Sequence, residues 1–227
     1  MKKIILITGH SKGIGKKLVN LLKKKFKVIG ISRSKGNVSG IREFLCDINN
    51  YKDIALTLKK IGKFDILINN SGITFFSKNP YENFLQIVKT NLIGTFNMCQ
   101  NSIKYFKKNG SIINISSINS YMAFPNNPGY VSSKGGIKSL TQALALDYSK
   151  YKIRVNSISP GYINEGMSKA SYKSKKKNKE RLKRMIIKRW GTPNDLHGII
   201  EYLSSNKSSY VTGQDFVIDG GWTAKGL

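Results

Sequence analysis

The sequence predicts a single-domain α/β protein, a doubly wound parallel β-sheet with helices on both faces. Three observations carry this. Short apolar runs alternate with stretches of helical periodicity, which calls for parallel strands joined by right-handed crossovers. The first run leads directly into a glycine-rich turn, TGHSKGIG at Thr8–Gly15, that opens a helix. The 227 residues suffice for one full core, and no repeat or linker divides them, so residues 1–227 are expected to form one unit.

The first strand is expected at Ile4–Thr8. The opening MKKIILITG has a charged start, but its apolar stretch is short and no small-residue cleavage site follows, so it reads as a strand and not as a signal peptide. A helix follows, with Ile14, Leu18, Leu21 and Leu22 on one face and Lys16, Lys17 and Lys23 opposite. Further strands are expected at Lys27–Ser32, Asp65–Asn69, Ser111–Ser116, Ile153–Ser159 and Phe216–Asp219. Between the second strand and Asp47 the chain is short, so a trimmed helix is expected there. Asn79-Pro80 and Thr192-Pro193 each read as an N-cap followed by proline in the first helical turn. In KSKKKNKERLKRMIIKR, Lys173–Arg189, the recurrence of Leu182, Met185, Ile186 and Trp190 predicts an amphipathic helix in the second half. The Lys175–Lys177 run before it reads as a solvated segment.

Composition narrows the function classes. No apolar run approaches the roughly 20 residues that span a bilayer, so no membrane partner is expected. Cys46 and Cys99 are too few for a disulfide framework or a metal cluster. They are expected to be inert buried thiols in a reducing cytoplasm, with no metal bound. The net charge of +27 comes mostly from lysine, 33 of the 39 basic residues, spread along the whole chain. That spread speaks for compositional bias over a binding face, although attraction to an acidic partner, whether a nucleic acid or an acidic carrier protein, fits as well, and a non-catalytic basic nucleic-acid-binding protein is the remote alternative. With only six arginines, the chain has few of the bidentate forks that phosphate and base recognition favours, and no nucleic-acid partner is expected.

In doubly wound sheets ligands bind beyond the carboxyl ends of the strands, and the motifs lie there. Glycines at 9, 13 and 15 let backbone N–H groups approach a pyrophosphate, with Ser11, Lys12 and Ile14 beside them and a helix N-terminus aimed at the charge. The second strand ends Ser32-Arg33 with no acidic residue to bind a ribose 2′-hydroxyl. Arg33 and Lys12 suit a 2′-phosphate instead, so NADP(H) is preferred and NAD(H) remains possible. Asp47, followed by Ile48, offers an acceptor to the adenine amino group. Asn70, Ser71 and Gly72 of NNSG supply backbone and small side chains, and Pro160, Gly161 and Ile163 of SPGYI make a sharp turn where a nicotinamide rests. NISS ends its strand with the hydroxyl of Ser117. In PGYVSSKGG, Tyr130 and Lys134 are four apart, one face of a helix. A phenol of ordinary pKa about 10 beside an ammonium becomes more acidic and able to exchange protons.

Taken together these motifs resemble the short-chain dehydrogenase/reductase family over essentially the full length. TGHSKGIG is similar to its TGxxxGIG, NNSG to its NNAG and Tyr130-x-x-x-Lys134 to its YxxxK. Ser117 stands thirteen residues before Tyr130, and YVTGQDFVIDGGW resembles the family's closing strand. The chain looks most like the 3-oxoacyl-acyl-carrier-protein reductases, with sugar and polyol dehydrogenases similar. The resemblance implies a Rossmann-type fold and an NAD(P)-dependent oxidoreductase acting between a carbonyl and a secondary alcohol. Tyr130 would exchange the proton, Ser117 would orient the reacting oxygen, and Lys134 would tune Tyr130 and hold the nicotinamide ribose. Asn91, in KTNLIGT, would anchor a water linking Lys134 to solvent. Substrate choice would lie in residues 164–190, whose basic run suggests an acidic substrate or carrier, and a homotetramer or dimer is implied. Ser71 departs from the family's alanine, and Glu165 stands where relatives carry threonine or serine near the carboxamide. His10 is expected to serve through its backbone alone, and His197 to lie at the surface.

Overall fold

In the computed structural model, which describes residues 2–225, seven parallel strands form one sheet in the order β3-β2-β1-β4-β5-β6-β7. The strands are β1 (Ile4–Thr8), β2 (Lys27–Ser32), β3 (Arg42–Leu45), β4 (Phe64–Asn69), β5 (Phe106–Ile115), β6 (Arg154–Pro160) and β7 (Asp215–Ile218). Met1, Gly226 and Leu227 of the expected unit lie outside the described residues. The helices are α1 (Gly13–Leu22), α2 (Tyr51–Ile61), α3 (Pro80–Val88), α4 (Gly94–Ser102), α5 (Pro128–Asp147), α6 (Lys169–Lys173), α7 (Lys175–Arg184) and α8 (Pro193–Leu203). A π-helical turn, Lys89–Ile93, joins α3 to α4.

The strands are nearly continuous apolar runs because both faces are covered. Successive side chains of β1 point to opposite layers. Leu6 packs with Ile54 and Leu58 of α2, Met98 and Cys99 of α4 and Leu144 of α5. Ile5 and Ile7 pack with Leu18 and Leu22 of α1 and Leu196 and Ile200 of α8. The strand order reverses between β1 and β4, and there the crevice that holds ligands in such sheets opens.

Both expected proline caps are present. Asn79 accepts from the N–H groups of Tyr81 and Glu82 at the start of α3. At α8 the work is shared: the Asp195 carboxylate accepts from the Thr192 N–H at 2.7 Å and is gripped by both nitrogens of the Arg189 fork. That fork holds the Asp195 carboxyl far below its usual range.

Two expectations need correction. The segment before Asp47 is strand, not a trimmed helix: Arg42–Leu45 pairs in register with Ile29–Ser32. As a sheet edge it has no buried apolar run, and Leu45 is exposed, so it carries no period-2 signature. The second correction concerns the basic segment. Its lysine run is itself the first turn of α7, and the helix ends at Arg184, before Met185, Ile186 and Trp190. Beyond it the backbone turns extended, and the N–H groups of Ile186 and Ile187 both donate to the Gly220 carbonyl. Met185 and Trp190 are buried against Ile118 and Trp222 all the same, so their helical spacing reflects burial by a loop and not a helix face.

Candidate active site

A cavity of about 980 Å³ opens along the carboxyl ends of the strands. Every residue expected to hold the cofactor lines it, from the glycine loop and Ser32-Arg33 through Asp47-Ile48 and Asn70–Gly72 to Pro160, Gly161 and Ile163. Ser117, Tyr130 and Lys134 line it too.

The glycine loop is built for close approach. Gly9 takes a φ of +68°, and a Cβ there would lie 2.9 Å from the Ser71 Cα. A Cβ on Gly15 would lie 2.2 Å from the Gly9 carbonyl oxygen. Side chains would therefore push the loop off the NNSG segment and fill the cradle beneath a pyrophosphate. Asn70 locks the two segments together, its amide donating to the Thr8 and Gly9 carbonyls, both at 3.1 Å, while the Thr8 hydroxyl accepts from the Asn70 and Ser71 N–H groups. α1 begins with no side-chain cap and no acidic residue in its first turn, which leaves its N–H groups and positive end to an anion. The residues present fit a dinucleotide.

At the end of the cavity beyond β2, Arg33 and Lys12 are exposed and face one mouth with Ser11 and Ser34, whose hydroxyls are 3.2 Å apart. The Ser32 hydroxyl turns back to the Ser34 carbonyl. Glu43, which β3 places opposite Gly30 of β2, is engaged elsewhere. It accepts from the Val38 N–H and lies 3.2 Å from His10 Nε2. Burial alone would raise its carboxyl, but Val38 and His10 outweigh that and hold it below the usual value. His10 is thus fully buried, its ring filling the space over Gly30, where a Cβ would meet it at 2.4 Å. The side chain, and not only the backbone, is part of the scaffold. His197 is half-buried on α8, 3.5 Å from Glu201.

The other end of the cavity, where Ser117, Tyr130 and Lys134 lie, is set by α5, β5 and the π-helical turn. Asn127 caps α5, accepting from the Tyr130 N–H, and so places Tyr130 and Lys134 on the face that looks onto the strand ends. Lys134 is buried; its ammonium lies 5.6 Å from the Tyr130 ring centroid and donates to the Ile115 carbonyl at 2.8 Å. Burial lowers its pKa to about 8. Tyr130 is pushed above the usual phenol value by burial, with the Ser117 hydroxyl pulling the other way. The expected depression of Tyr130 by Lys134 is therefore not what this arrangement produces: the ammonium is held by a backbone carbonyl, and desolvation dominates. Ser117, at the end of β5, is fixed by Asn119, whose N–H donates to its hydroxyl and whose side-chain oxygen accepts from it, both at 3.2 Å.

Asn91 does not line the cavity. It is fully buried in the π-helical turn, its amide bridging the Ile73 N–H and carbonyl at 2.8 and 2.9 Å and donating to the Ser133 hydroxyl. A Cβ on Gly72 would sit 3.3 Å from Asn91 Oδ1 and 3.7 Å from Lys134 Nζ, so both side chains converge on Gly72. Glu165 lines the cavity over the glycine loop and pairs with Lys169 at 3.9 Å. Sequence reading missed Thr90, Asn119, Phe124, Tyr162 and the inward residues of α7, Lys177 and Arg181, all of which line the cavity. For the last two the signal was available: they are four apart, one turn of a helix, in a run read only for its charge. Cys46 and Cys99 are buried and unpaired, and burial pushes the Cys99 thiol up to about 12.

The family model described as Enoyl-(Acyl carrier protein) reductase matches residues 12–223. The chain is 32% identical to glucose 1-dehydrogenase 2 of Bacillus subtilis, covering 97% of this chain and 95% of that protein. It is 31% identical to the 3-oxoacyl-[acyl-carrier-protein] reductase FabG of Thermotoga maritima (96% and 97% covered). It is 33% identical to 2-dehydro-3-deoxy-D-gluconate 5-dehydrogenase of Dickeya dadantii (98% and 96% covered). Among solved structures, a gluconate 5-dehydrogenase from Burkholderia cenocepacia in complex with NADP and tartrate superposes with a TM-score of 0.90, 26% identity and coverage of 99% and 96%.

Proposed function

The chain belongs to the short-chain dehydrogenase/reductase family, an NAD(P)-dependent oxidoreductase family, and we propose that it transfers hydride between NADP(H) and the carbonyl of a 3-oxoacyl group on an acidic carrier protein. The observation that carries the reaction class is the convergence of Ser117, Tyr130 and Lys134 with the glycine loop on one cavity. When bound, the nicotinamide supplies or accepts the hydride at the substrate carbon. Tyr130 gives its proton to the substrate oxygen in reduction and takes it back in oxidation. Ser117, whose hydroxyl donates to Asn119 in this structure, would turn that proton to the same oxygen and orient it. Lys134 keeps positive charge beside the phenol and binds the nicotinamide ribose hydroxyls, and Asn91 holds the floor beneath it.

NADP(H) is favoured by the exposed pair Arg33 and Lys12 and by the engagement of Glu43 with Val38 and His10. The carrier reading rests on α7 and the loop after it: Lys175, Lys179 and Lys183 of the helix and Lys188 of the loop line an outer groove, a surface complementary to an acidic partner. The likeness to glucose and gluconate dehydrogenases supports a second reading, a sugar or polyol dehydrogenase. A homotetramer or dimer goes with either reading and is supported by the exposed apolar residues Phe84, Leu85, Ile93 and Phe96 along α3 and α4. The test is a panel of carbonyl compounds and alcohols with each cofactor. Faster reduction of an acetoacetyl-carrier protein than of keto sugars supports the carrier reading, and the reverse order rejects it.

A further inference from the structure

α7 carries two sets of cations that face different ways. Lys175, Lys179 and Lys183 line the outer groove, whereas Lys177 and Arg181, one turn apart, line the catalytic cavity. The Arg181 guanidinium carbon lies 4.9 Å from the Tyr162 ring centroid and 5.9 Å from that of Trp222. Two aromatic rings thus fix where the fork sits. Tyr162 is itself braced by Trp190 and Trp222, with ring centroids 5.3 and 4.8 Å away.

The fork is held but not satisfied. Arg181 Nε is buried with no hydrogen-bond partner, and among the described residues no carboxylate pairs with the side chain. Arg154, the other partly buried arginine, is served, donating to the Leu203 and Val211 carbonyls, and the exposed Arg189 grips Asp195. Leaving a half-buried guanidinium without an acceptor is costly unless a ligand supplies one. The acceptor it suits is planar or tetrahedral and anionic.

We propose that Arg181, with Lys177 beside it, binds a carboxylate or phosphate-ester group of the substrate inside the cavity, so that the protein selects anionic carbonyl compounds. The inference rests on the proposed reaction and adds its substrate class. Ser117 and Tyr130 hold the reacting oxygen; a second anchor on α7 fixes the remainder of the molecule and aligns the reacting carbon. A free keto acid and a phosphopantetheine-linked acyl group both carry such an anion, and both are tested.

The experiment measures equilibrium binding by calorimetry, with and without saturating NADP⁺, for two matched pairs. The first is levulinate against methyl levulinate; the second is acetoacetyl-phosphopantetheine against acetoacetyl-pantetheine. Wild-type protein binds the anionic member of at least one pair about 10- to 100-fold more tightly, and the pair that responds tells carboxylate from phosphate. Arg181→Gln brings the two members to within about 3-fold, and Arg181→Lys retains part of the preference. Melting curves establish that each variant is folded. Wild-type protein that discriminates neither pair, or a folded Arg181→Gln that discriminates as wild type does, overturns the proposal. Binding needs no turnover, so failure to reduce any carbonyl would count against the proposed reaction alone.

Discussion

Lys134 stands 5.6 Å from the centre of the Tyr130 ring, yet it gives its 2.8 Å hydrogen bond to the Ile115 carbonyl and not to the phenol. Its positive charge stands near the phenol without a direct bond to it. That charge survives only while the buried amine stays protonated, and burial has lowered its pKa to about 8. Carbonyl reduction needs both the ammonium and the phenolic proton, so kcat/KM is expected to be level near neutrality and to fall above about pH 8. A pH–rate profile in reduction, with cofactor saturating, checks this. A rate that keeps rising through pH 9 contradicts it.

The same burial makes a stability prediction. Lys134 in the folded protein loses its proton at a lower pH than in the unfolded chain, so between about 8 and the ordinary 10.5 the folded state binds fewer protons. Wild-type stability therefore gains from rising pH across that window, and the penalty of burying the cation is fully present below it. Lys134→Met, which removes the titration, is expected to compare better with wild type at pH 7 than at pH 10 by ~1–3 kcal/mol. Urea unfolding at the two pH values decides. An unchanged difference shows that the ammonium is not desolvated.

Arg33→Asp places a carboxylate at the end of β2 beside Ser32 and removes the fork that suits a 2′-phosphate. The NADPH-to-NADH ratio of kcat/KM is expected to drop by about 10- to 100-fold, mostly through KM for NADPH. Kinetics with both cofactors measure it, and an unmoved ratio means the phosphate pocket lies elsewhere.

His10→Ala removes a fully buried ring packed over Gly30 and the partner of Glu43. A loss of ~2–4 kcal/mol in unfolding free energy is expected. Glu43, with its carboxyl held below 4.5, contributes stability that is present above the ordinary carboxylate range and lost as pH falls through it. Wild type should accordingly approach Glu43→Gln in stability as the pH falls below the ordinary carboxylate range. Parallel melting curves for the two proteins at all pH values would refute the role assigned to the pair.

The parts of this molecule that could be read from sequence are those fixed by local rules. Buried central strands such as Ile4–Thr8 and Lys27–Ser32 show apolar runs ended by a turn, and their observed bounds coincide with the expected ones. The glycine loop and the Tyr130–Lys134 spacing encode backbone and helix geometry directly. What stayed hidden depended on long-range packing. β3 forms because β2 offers it an edge, not because REFL has strand periodicity. The burial of His10 depends on Gly30 and Glu43, twenty and more residues away. Tyr130 was expected to be made more acidic by its neighbour, whereas burial pushes its phenol up and the Lys134 ammonium is engaged by the Ile115 carbonyl. Spacing alone cannot reveal which partner an ammonium will choose.

The direct test is the rate of NADPH-dependent carbonyl reduction by Tyr130→Phe under saturating cofactor, alongside its NADPH affinity and melting temperature. Loss of the phenolic proton is expected to lower kcat by about 10²- to 10⁴-fold while cofactor affinity and folding stay near wild type. A variant that keeps its kcat within a few-fold of wild type would show that the proton comes from another group, and the assignment of Tyr130 would be wrong.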